Sequence, residues 1–571
     1  MGSSQTIPPL GHARDEDWAV GASLLVGAPL PDPGVVNLAE ALQRAARRRS
    51  GPAICHIGAD GSESWSSYAE LLRDAARVLG GIRRAGVRPG DRVLLRLGDD
   101  HELLTAFWAC VLGGFVPVPI GSRDGLDGLE AAWLALHRPW IIADGATGTR
   151  LRGPAEGPRA YWIGSVARLG STTGPVDTTP MPSEWHDIAV LALTAGSTGS
   201  PKAVMLSHGN ILSRSAGTAL ANGVGEECVT FNWMPLDHVS GLVMFHVRDV
   251  CAAATQIHAP REWVLADPLR WLDVIDRHRV NAVWAANFAF DLVSSRVEAE
   301  PGRHWDLSCV AYVMNGGAPV KARTIRRFVA NLAPHGLPAT VIRPGWGMSE
   351  TSAGIVDHRL DAAALDEDER FVPVGVPHPG VAVRVVGEDE RVVPAGTLGH
   401  LQVSGPTVTR GYFGAEDLTR RAFTADGWFR TGDMAFVEGG ALTVTGQADD
   451  LIRQGERVCH GHEIESLVED IEGIAASSVV ACAVAGGELA VFCALVEGAD
   501  ADRTARLVKA AVGTRFGLDV AHVLPLDPRD VPRTPTGKPK RAQLRALFFL
   551  PGAPDRPRPA PFSEEHTPPC S

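Results

Sequence analysis

The chain has 571 residues, too many for one ordinary hydrophobic core, so two or more domains are expected. A hydrophobic content of 45% fits a globular protein, and a net charge of −12 argues against a nucleic-acid partner. Nine cysteines with no CxxC pair favour a reducing compartment. The N-terminus shows no signal-peptide pattern, and its apolar stretch at 19–30 is too short to cross a membrane, so we expect a cytoplasmic protein without a membrane partner.

Helix and strand patterns alternate through the first half of the chain. The segment 66–86 has helical periodicity, with Ser67 and Glu70 spaced as a capping box. Strand, helix and strand patterns follow at 91–97, 101–114 and 115–121. This order predicts a parallel sheet covered by helices, whose strands end in ligand-binding loops. Five further segments have strand patterns: 140–145, 187–194, 281–287, 308–317 and 339–345.

The pattern changes after about residue 375, where hairpin sequences indicate an antiparallel β region. The predicted fold class is α/β: a large N-terminal domain of mixed and parallel sheets with helices and a β-rich subdomain, then a small, mobile α+β C-terminal domain. The expected boundaries are an N-terminal extension at 1–34, the large domain at 35–448 with its β-rich subdomain at about 375–446, the small domain at 449–548 and a disordered proline-rich tail at 549–571.

The stretch from 191 to 210, LALTAGSTGSPKAVMLSHGN, is an apolar strand that runs into a loop of small and hydroxyl-bearing residues. Glycines let backbone N–H groups turn toward a common point, hydroxyls add donors and one lysine adds a cation. This combination predicts a phosphate-binding loop, and the alternative is an ordinary surface loop. The GxxxxGK[ST] pattern does not fit, because Pro201 stands where it has glycine. The candidate phosphate-binding residues are Thr194, Ser197, Thr198, Gly199 and Lys202.

Four further motifs follow this loop. They are GWGMSET at 345–351, GWFRTGDMAFV at 427–437, GQADDLIRQGERV at 446–458 and RTPTGKPKRAQL at 533–544. Together with the loop, they resemble the ordered motifs of the adenylate-forming superfamily, which includes acyl-CoA synthetases, nonribosomal-peptide adenylation domains, fatty acyl-AMP ligases and luciferases. The resemblance covers roughly 35–548 and depends on five dispersed motifs that recur in order.

Members of this superfamily bind ATP and a carboxylic acid, release pyrophosphate and hold an acyl-adenylate. The resemblance implies that Glu350 binds Mg²⁺, that Trp346 stacks on adenine in place of the usual tyrosine, and that Asp433 binds the ribose hydroxyls. Ser349 replaces the usual threonine and would donate a hydrogen bond to the α-phosphate. The remaining nucleotide-binding residues would be Gly316, Gly317, Ala318 and Gly347.

The resemblance also implies that the small domain rotates between two half-reactions. Lys538 would be the catalytic lysine of the first, although an ordinary surface lysine is the alternative. Asp449 would be the hinge about which the domain turns. Arg453 would contribute in the second orientation, in which a phosphopantetheine thiol attacks the acyl carbonyl.

The resemblance assigns an acid-binding pocket as well. His238 would lie at its mouth, with a buried core histidine as the alternative. The segment 284–293 would form one wall, in which Asn287 and Phe288 are the expected contacts and Gly316 lies nearby. An aromatic-rich stripe of this kind is more often plain core than a binding surface.

The junction motif has one departure from the superfamily pattern and one segment that suggests a metal site. Gln447 stands where the family usually has arginine, which removes a cationic contact to the nucleotide. Cys459, His460 and His462 suggest a metal site, but zinc sites usually need four ligands in separated pairs, and no second pair lies nearby in the sequence. The family explains the segment as a loop that shapes the thiol tunnel.

The leading hypothesis is an ATP- and Mg²⁺-dependent ligase of secondary metabolism that adenylates a carboxylic acid and transfers it to a thiol. The thiol would belong to a carrier protein in trans or to CoA, and the resemblance is closest to stand-alone loading ligases of polyketide and peptide assembly lines. A second hypothesis keeps adenylation but uses an amine acceptor, or activates another oxyacid such as nitrite. A third is a degenerate nucleotide-binding module, which the retained Lys202, Glu350, Asp433 and Lys538 argue against.

Overall fold

A computed structural model describes residues 21–121, 125–151, 157–171, 177–195, 201–366, 369–475, 478–484, 487–527, 530–532 and 539–549. The strands, in chain order, are β1 (Leu24–Val26), β2 (Ile54–Ile57), β3 (Glu63–Ser66), β4 (Arg92–Arg96), β5 (Val116–Pro119), β6 (Trp140–Ala143), β7 (Trp162–Gly164), β8 (Ile188–Ala195), β9 (Pro201–Ser207), β10 (Val229–Asn232), β11 (Thr255–His258), β12 (Ala282–Ala285), β13 (Tyr312–Asn315), β14 (Ile342–Met348), β15 (Ala353–Asp357), β16 (Val376–Pro377), β17 (Ala382–Val386), β18 (Gly399–Ser404), β19 (Phe429–Glu438), β20 (Ala441–Gln447), β21 (Leu451–Gln454), β22 (Arg457–His460), β23 (Val480–Ala483), β24 (Leu489–Cys493) and β25 (Val520–Pro525).

The helices are α1 (Leu38–Arg48), α2 (Tyr68–Arg84), α3 (Asp100–Gly113), α4 (Gly125–Ala135), α5 (Gly145–Arg150), α6 (Val166–Gly170), α7 (His208–Asn222), α8 (Val239–Gly241), α9 (Arg248–Ala252), α10 (Arg261–Ala266), α11 (Arg270–His278), α12 (Asn287–Ala299), α13 (Ala322–Leu332), α14 (Glu416–Ala422), α15 (Gly461–Glu469), α16 (Ala501–Phe516) and α17 (Arg541–Phe549). A π-helical segment, Leu242–Val247, joins α8 to α9. In the part of the chain that the structure describes, no helix is both long enough and apolar enough to cross a bilayer.

The predicted capping box at the start of α2 is confirmed. The Ser67 hydroxyl accepts a hydrogen bond from the backbone N–H of Glu70 at 3.2 Å, and the Glu70 carboxylate accepts one from the N–H of Ser67 at 2.8 Å. These two bonds satisfy donors that have no partner inside the helix, so the helix begins where the sequence predicts.

The large domain contains two sheets with parallel strands. A nine-stranded sheet has the order β16-β15-β14-β13-β12-β10-β11-β2-β3, and β14, β13, β12, β10, β11 and β2 are parallel neighbours within it. A four-stranded sheet, β5-β4-β6-β7, is parallel throughout. Helices bury their apolar faces against these sheets, with Trp108, Phe231 and Trp271 among the largest side chains in the core. The α/β prediction is confirmed.

The β-rich region is an antiparallel sheet of order β1-β17-β18-β19-β20. Strands β17 to β20 lie where the alternating pattern predicts hairpins. The edge strand β1 comes from Leu24–Val26, which the sequence places in an N-terminal extension, and it pairs with Ala382–Arg384. Residues far apart in the chain therefore complete this sheet.

The small domain is α+β, as predicted. It contains the hairpin β21-β22, the sheet β23-β24-β25 and helices α15, α16 and α17. Its core includes Ile452, Ile464 and Val508, which are fully buried.

Among the described residues, three ion pairs join the small domain to the large domain. Arg370 contacts Glu463 at the start of α15, with one Nη2–Oε1 distance of 3.2 Å. Lys321 and Arg323, at the start of α13, contact Glu469 at 2.8 Å and Asp470 at 2.6 Å, respectively, at the end of α15. Both ends of α15 are therefore held against the large domain.

Candidate active site

The phosphate hairpin, which we define as β8 and β9, carries the first candidate residues. Thr194 near the end of β8 lies directly opposite Lys202 on β9. The Lys202 ammonium lies 5.6 Å from the centre of the Tyr412 ring, within the range of a cation–π contact. Ser197, Thr198 and Gly199 lie outside the described residues, so their role in phosphate binding stays a prediction.

Glu350 occupies the turn between β14 and β15. Its side chain is only 6% exposed, and its Oε1 accepts a hydrogen bond from the Tyr412 hydroxyl at 2.9 Å. Burial raises the pKa of this carboxyl, while the Tyr412 hydrogen bond and the nearby Lys202 cation oppose the rise. A carboxylate is a hard oxygen donor of the kind that Mg²⁺ uses together with phosphate oxygens, so Glu350 fits the predicted metal-binding role.

Trp346 and Asp433 are joined directly, although they lie on strands of different sheets. The indole Nε1–H of Trp346 on β14 donates to Asp433 Oδ2 on β19 at 2.8 Å. Trp346 is 8% exposed, so the ring is held by packing as well as by this bond. Gln447, where the family has arginine, lies opposite Asp433 in the β19–β20 ladder and is exposed. The residues predicted to bind adenine and ribose are therefore adjacent.

Two glycines allow the backbone at the ends of these strands to approach closely. A Cβ at Gly347 would lie 2.2 Å from the carbonyl oxygen of Ala353, at a β-bulge that follows Trp346. A Cβ at Gly316 would lie 2.8 Å from the carbonyl oxygen of Gly345. Both contacts are with backbone atoms, so larger residues would displace the strands. Ser349, in the same turn as Glu350, is buried, Ala318 is half-buried and Gly317 is exposed.

His238 is the N-terminal cap of α8. Its Nδ1 accepts a hydrogen bond from the backbone N–H of Ser240 at 3.2 Å and lies 2.8 Å from the Ser240 hydroxyl. Burial lowers the pKa of His238 to about 4, so the imidazole is neutral at neutral pH. Because Nδ1 accepts, the proton of the neutral ring lies on Nε2, which makes this atom a hydrogen-bond donor.

The side-chain amide of Asn287 forms hydrogen bonds within the protein through both its nitrogen and its oxygen. Its Nδ2 donates to the carbonyl of Pro319, and its Oδ1 accepts from Asn315 Nδ2 at 3.0 Å. It therefore fixes the loop that contains Gly316, while its direct contact with an acid stays a prediction. Phe288 packs edge-on against Trp233, with ring centres 6.2 Å apart, and its contact with an acid stays a prediction.

The two described small-domain residues of the predicted site, Asp449 and Arg453, are not joined to these groups. Asp449 is exposed in a short 3₁₀ turn at the domain junction, and Arg453 is exposed on β21. Neither forms a hydrogen bond or ion pair with the described residues of the large domain. Lys538 lies outside the described residues, so its catalytic role stays a prediction.

The segment that contains Cys459, His460 and His462 lies at the domain junction and contacts the large domain through His460. His460 Nε2 lies 3.1 Å from the Thr445 hydroxyl of the large domain, and the two histidine rings stack with centres 5.5 Å apart. Burial raises the pKa of the Cys459 thiol to about 12, so it remains protonated at neutral pH. Within the described ranges, no group of three or more histidine, cysteine, aspartate or glutamate residues is placed to hold a metal ion.

Two residues of this region were not identified from the sequence. Tyr412 contacts both Lys202 and Glu350, and its place between two glycines in TRGYFG was the signal that could have indicated it. Asn315 ends β13, and its Oδ1 is buried without a hydrogen-bond partner among the described residues. An unpaired buried acceptor at this position suits a ligand donor.

Comparison with known proteins agrees with this geometry. The model of the AMP-binding enzyme family matches residues 42–413. The chain belongs to this family. It is similar to the nonribosomal peptide synthetase apvA of Aspergillus terreus, with 31% identity over 90% of this chain and 58% of the relative, so it spans little more than half of that protein.

Two solved structures of 32–33% identity are similar throughout most of this AMP-binding chain. The structure of McyG A-PCP complexed with phenylalanyl-adenylate has a TM-score of 0.85 and matches 92% of this chain and 84% of that one. The adenylation domain of a keto acid-selecting nonribosomal peptide synthetase module, bound to keto acyl adenylate, has a TM-score of 0.72 and matches 88% of this chain and all of that one, 100%.

Proposed function

We propose that this chain uses ATP to activate a carboxylic acid as an acyl-adenylate and then transfers the acyl group to a phosphopantetheine thiol. The observation that carries the proposal is the meeting of Lys202 and Glu350 at Tyr412, beside the hydrogen-bonded pair of Trp346 and Asp433. A cation on a phosphate hairpin, a buried carboxylate and an aromatic–aspartate pair are the groups needed to bind a nucleoside triphosphate with its metal.

In the first half-reaction, a carboxylate oxygen of the acid attacks the α-phosphorus of ATP. The bond from that phosphorus to the oxygen bridging the α- and β-phosphates breaks, and pyrophosphate leaves. Lys202 and the loop at 194–202 would hold the β- and γ-phosphates, and Ser349 and Lys538 would contact the α-phosphate. Glu350 would hold Mg²⁺, which neutralises part of the phosphate charge when bound.

In the second half-reaction, the sulfur of the thiol attacks the acyl carbonyl carbon. The bond from that carbon to the phosphate oxygen breaks, AMP leaves and the thiol proton is released. A rotation of the small domain about Asp449 would move Lys538 out of the active site. The same rotation would bring in the β21–β22 hairpin with Arg453. The similarity to a McyG structure that contains A-PCP supports a carrier protein, rather than CoA, as the thiol donor.

The aromatic residues near the predicted acid-binding wall support an acid with an apolar or aromatic side chain. Trp233 and Phe288 pack against each other, and Trp284 lies beside Gly317, where a Cβ would be 3.4 Å from its ring. The Nε2–H of His238 adds one neutral donor. Phenylalanine and 2-keto acids with aromatic side chains are the first acids to test, because the two similar structures hold phenylalanyl-adenylate and keto acyl adenylate.

The proposal is tested by ATP–pyrophosphate exchange with Mg²⁺ over a panel of amino, keto, aryl and fatty acids. We expect exchange with at least one acid. Mass spectrometry of a pantetheinylated carrier protein, of CoA and of amine acceptors then identifies where the acyl group goes. Transfer only to an amine would overturn the thiol step. The absence of exchange with every acid would overturn adenylation and leave a nucleotide-binding module.

A further inference from the structure

Tyr412 is fixed to the phosphate hairpin by its own backbone. The segment Gly411–Phe413 runs antiparallel to β9, with hydrogen bonds from Met205 N–H to the Gly411 carbonyl at 3.0 Å and from Phe413 N–H to the Ala203 carbonyl at 2.8 Å. The N–H of Tyr412 also donates to the Thr419 hydroxyl at 2.9 Å. Tyr412 is only 6% exposed, so contacts with the protein fix the position of its ring.

The chain from Thr409 to Tyr412 binds Glu350 at two places, its backbone carbonyl and its side-chain carboxylate. The N–H of Thr409 donates to the Glu350 backbone carbonyl at 2.7 Å, and the Tyr412 hydroxyl donates to Oε1 of its side chain at 2.9 Å. Among the residues that the structure describes, no other side chain donates a hydrogen bond to this carboxylate. Oε1 is therefore held by the Tyr412 hydroxyl, and the backbone N–H of Glu350 also hydrogen-bonds the carboxylate.

The ring of Tyr412 also contacts a cation that lies near Glu350. Lys202 lies over the ring face at 5.6 Å and forms no direct ion pair with Glu350 within the described part of the chain. A direct pair would occupy the ammonium and the carboxylate with each other. Without such a pair, both groups stay available to a phosphate and its metal.

We propose that Tyr412 is a positioning residue: its hydroxyl orients the Glu350 carboxylate for Mg²⁺, and its ring holds the Lys202 ammonium over its face by a cation–π contact. The inference rests on the proposed function, because the ligand concerned is ATP with Mg²⁺. Residues that orient a metal ligand typically change metal affinity or activity by 10- to 100-fold when they are removed.

The test compares Tyr412→Phe with Tyr412→Leu. The first variant removes the hydroxyl and keeps the ring, and the second removes both. For each, isothermal titration calorimetry gives the Kd of ATP with and without Mg²⁺, and the ratio of the two measures how strongly the metal and the nucleotide bind together. Tyr68→Phe is the matched control, because Tyr68 is a buried tyrosine whose hydroxyl bonds the Ala254 carbonyl at 2.6 Å, away from the site.

We expect Tyr412→Phe to reduce the Mg²⁺ effect on ATP affinity by about 10-fold and Tyr412→Leu to reduce it further. In a Glu350→Gln background, Tyr412→Phe should have no additional effect, because it acts through that carboxylate. A Mg²⁺ effect equal to that of the native chain would overturn the proposal. So would an equal loss of ATP affinity with and without Mg²⁺, because that pattern indicates a structural role.

The same measurements separate this inference from the proposed function. A native chain that shows Mg²⁺-dependent ATP binding, weakened in Tyr412→Phe, but no acid-dependent pyrophosphate exchange supports the role of Tyr412 and overturns acid adenylation. A native chain whose ATP affinity does not change with Mg²⁺ overturns the role of Tyr412, whatever the exchange assay shows.

Discussion

The indole N–H of Trp346 donates a hydrogen bond in this site, which a phenylalanine ring could not do. Its bond to Asp433 links two sheets at the place where the nucleotide is expected. A hydrogen bond to a charged acceptor contributes about 1.5–3 kcal/mol, more than a bond between neutral groups. The ring therefore orients the carboxylate that is proposed to bind the ribose.

Trp346→Phe removes this N–H and keeps an aromatic ring. We expect the half-saturating ATP concentration in the exchange assay to rise about 10-fold, because Asp433 loses its fixed orientation, while half-saturation by the acid stays the same. Trp428→Phe is the control, since Trp428 packs under Arg384, with the guanidinium 4.4 Å from its ring centre, outside the site. An unchanged ATP requirement in Trp346→Phe would contradict the assignment.

Lys538→Ala tests the catalytic lysine inferred from the RTPTGKPK motif. We expect acid-dependent pyrophosphate exchange to fall by about 10²–10³, as when a preorganised group that stabilises transition-state charge is removed. Lys540→Ala, two residues away, should retain exchange. Circular dichroism would show that both variants are folded, and full exchange by folded Lys538→Ala would refute the assignment.

At the scale of elements, a buried histidine joins two helices of the large domain. Nδ1 of His208, the first residue of α7, accepts a hydrogen bond from the N–H of Leu38, the first residue of α1, at 3.2 Å. Burial lowers the pKa of His208 to about 4. The neutral ring satisfies a helix N–H that has no partner within α1, and protonation would remove that acceptor.

This shift makes stability depend on pH in a defined direction. Below the ordinary histidine pKa of about 6.5, the unfolded chain binds a proton that the folded chain excludes, so stability is lost as the pH falls from 6.5 toward 4. His208→Asn supplies a similar acceptor without this titration. In urea unfolding, it should reduce the loss between pH 7.5 and 5.5 by about 1 kcal/mol.

The exposed His186→Asn is the control for this measurement and should leave the pH dependence unchanged. Native stability that stays constant or increases on acidification would contradict the direction of the pKa shift. The other buried histidines, such as His246, whose pKa burial lowers to about 3, would maintain part of the pH dependence in every variant.

At the scale of the whole molecule, the ion pairs between the two domains differ in how deeply their charged side chains are buried. Glu463 is 8% exposed and is paired with Arg370, whereas the pair of Arg323 and Asp470 is exposed on both sides. An exposed pair contributes about 0–1 kcal/mol, but a buried carboxylate without its partner is costly. Arg370 should therefore stabilise the orientation seen here more than Arg323 does.

Arg370→Ala tests this difference. We expect faster hydrogen exchange across 445–463 and faster proteolysis at the domain junction, because the small domain leaves this orientation more often. Arg323→Ala, across the same contact, should change both measurements little. An equal or larger effect of Arg323→Ala would show that the buried pair does not hold the domain.

Much of the fold follows from local patterns. The capping residues Ser67 and Glu70 depend on spacing alone, and the parallel strands β12 and β13 lie within apolar segments that the sequence predicts as strands. The pairing of β1 with β17 could not be predicted in this way, because it depends on an edge more than 350 residues away, as the register of Leu24 with Arg384 shows.

The candidate site also has a part that the sequence predicts and a part that only the structure shows. The composition of the loop at 194–202 predicts Lys202 as a phosphate ligand, and the resemblance to the superfamily implies the roles of Glu350 and Asp433, all without coordinates. The roles of Tyr412, Asn315 and the amide of Asn287 depend on which side chains meet after folding. The sequence by itself determined the residue types from which the proposed chemistry is predicted. Tertiary structure alone decided which side chains meet, because hydrogen bonds and burial depend on distances that spacing along a chain does not fix.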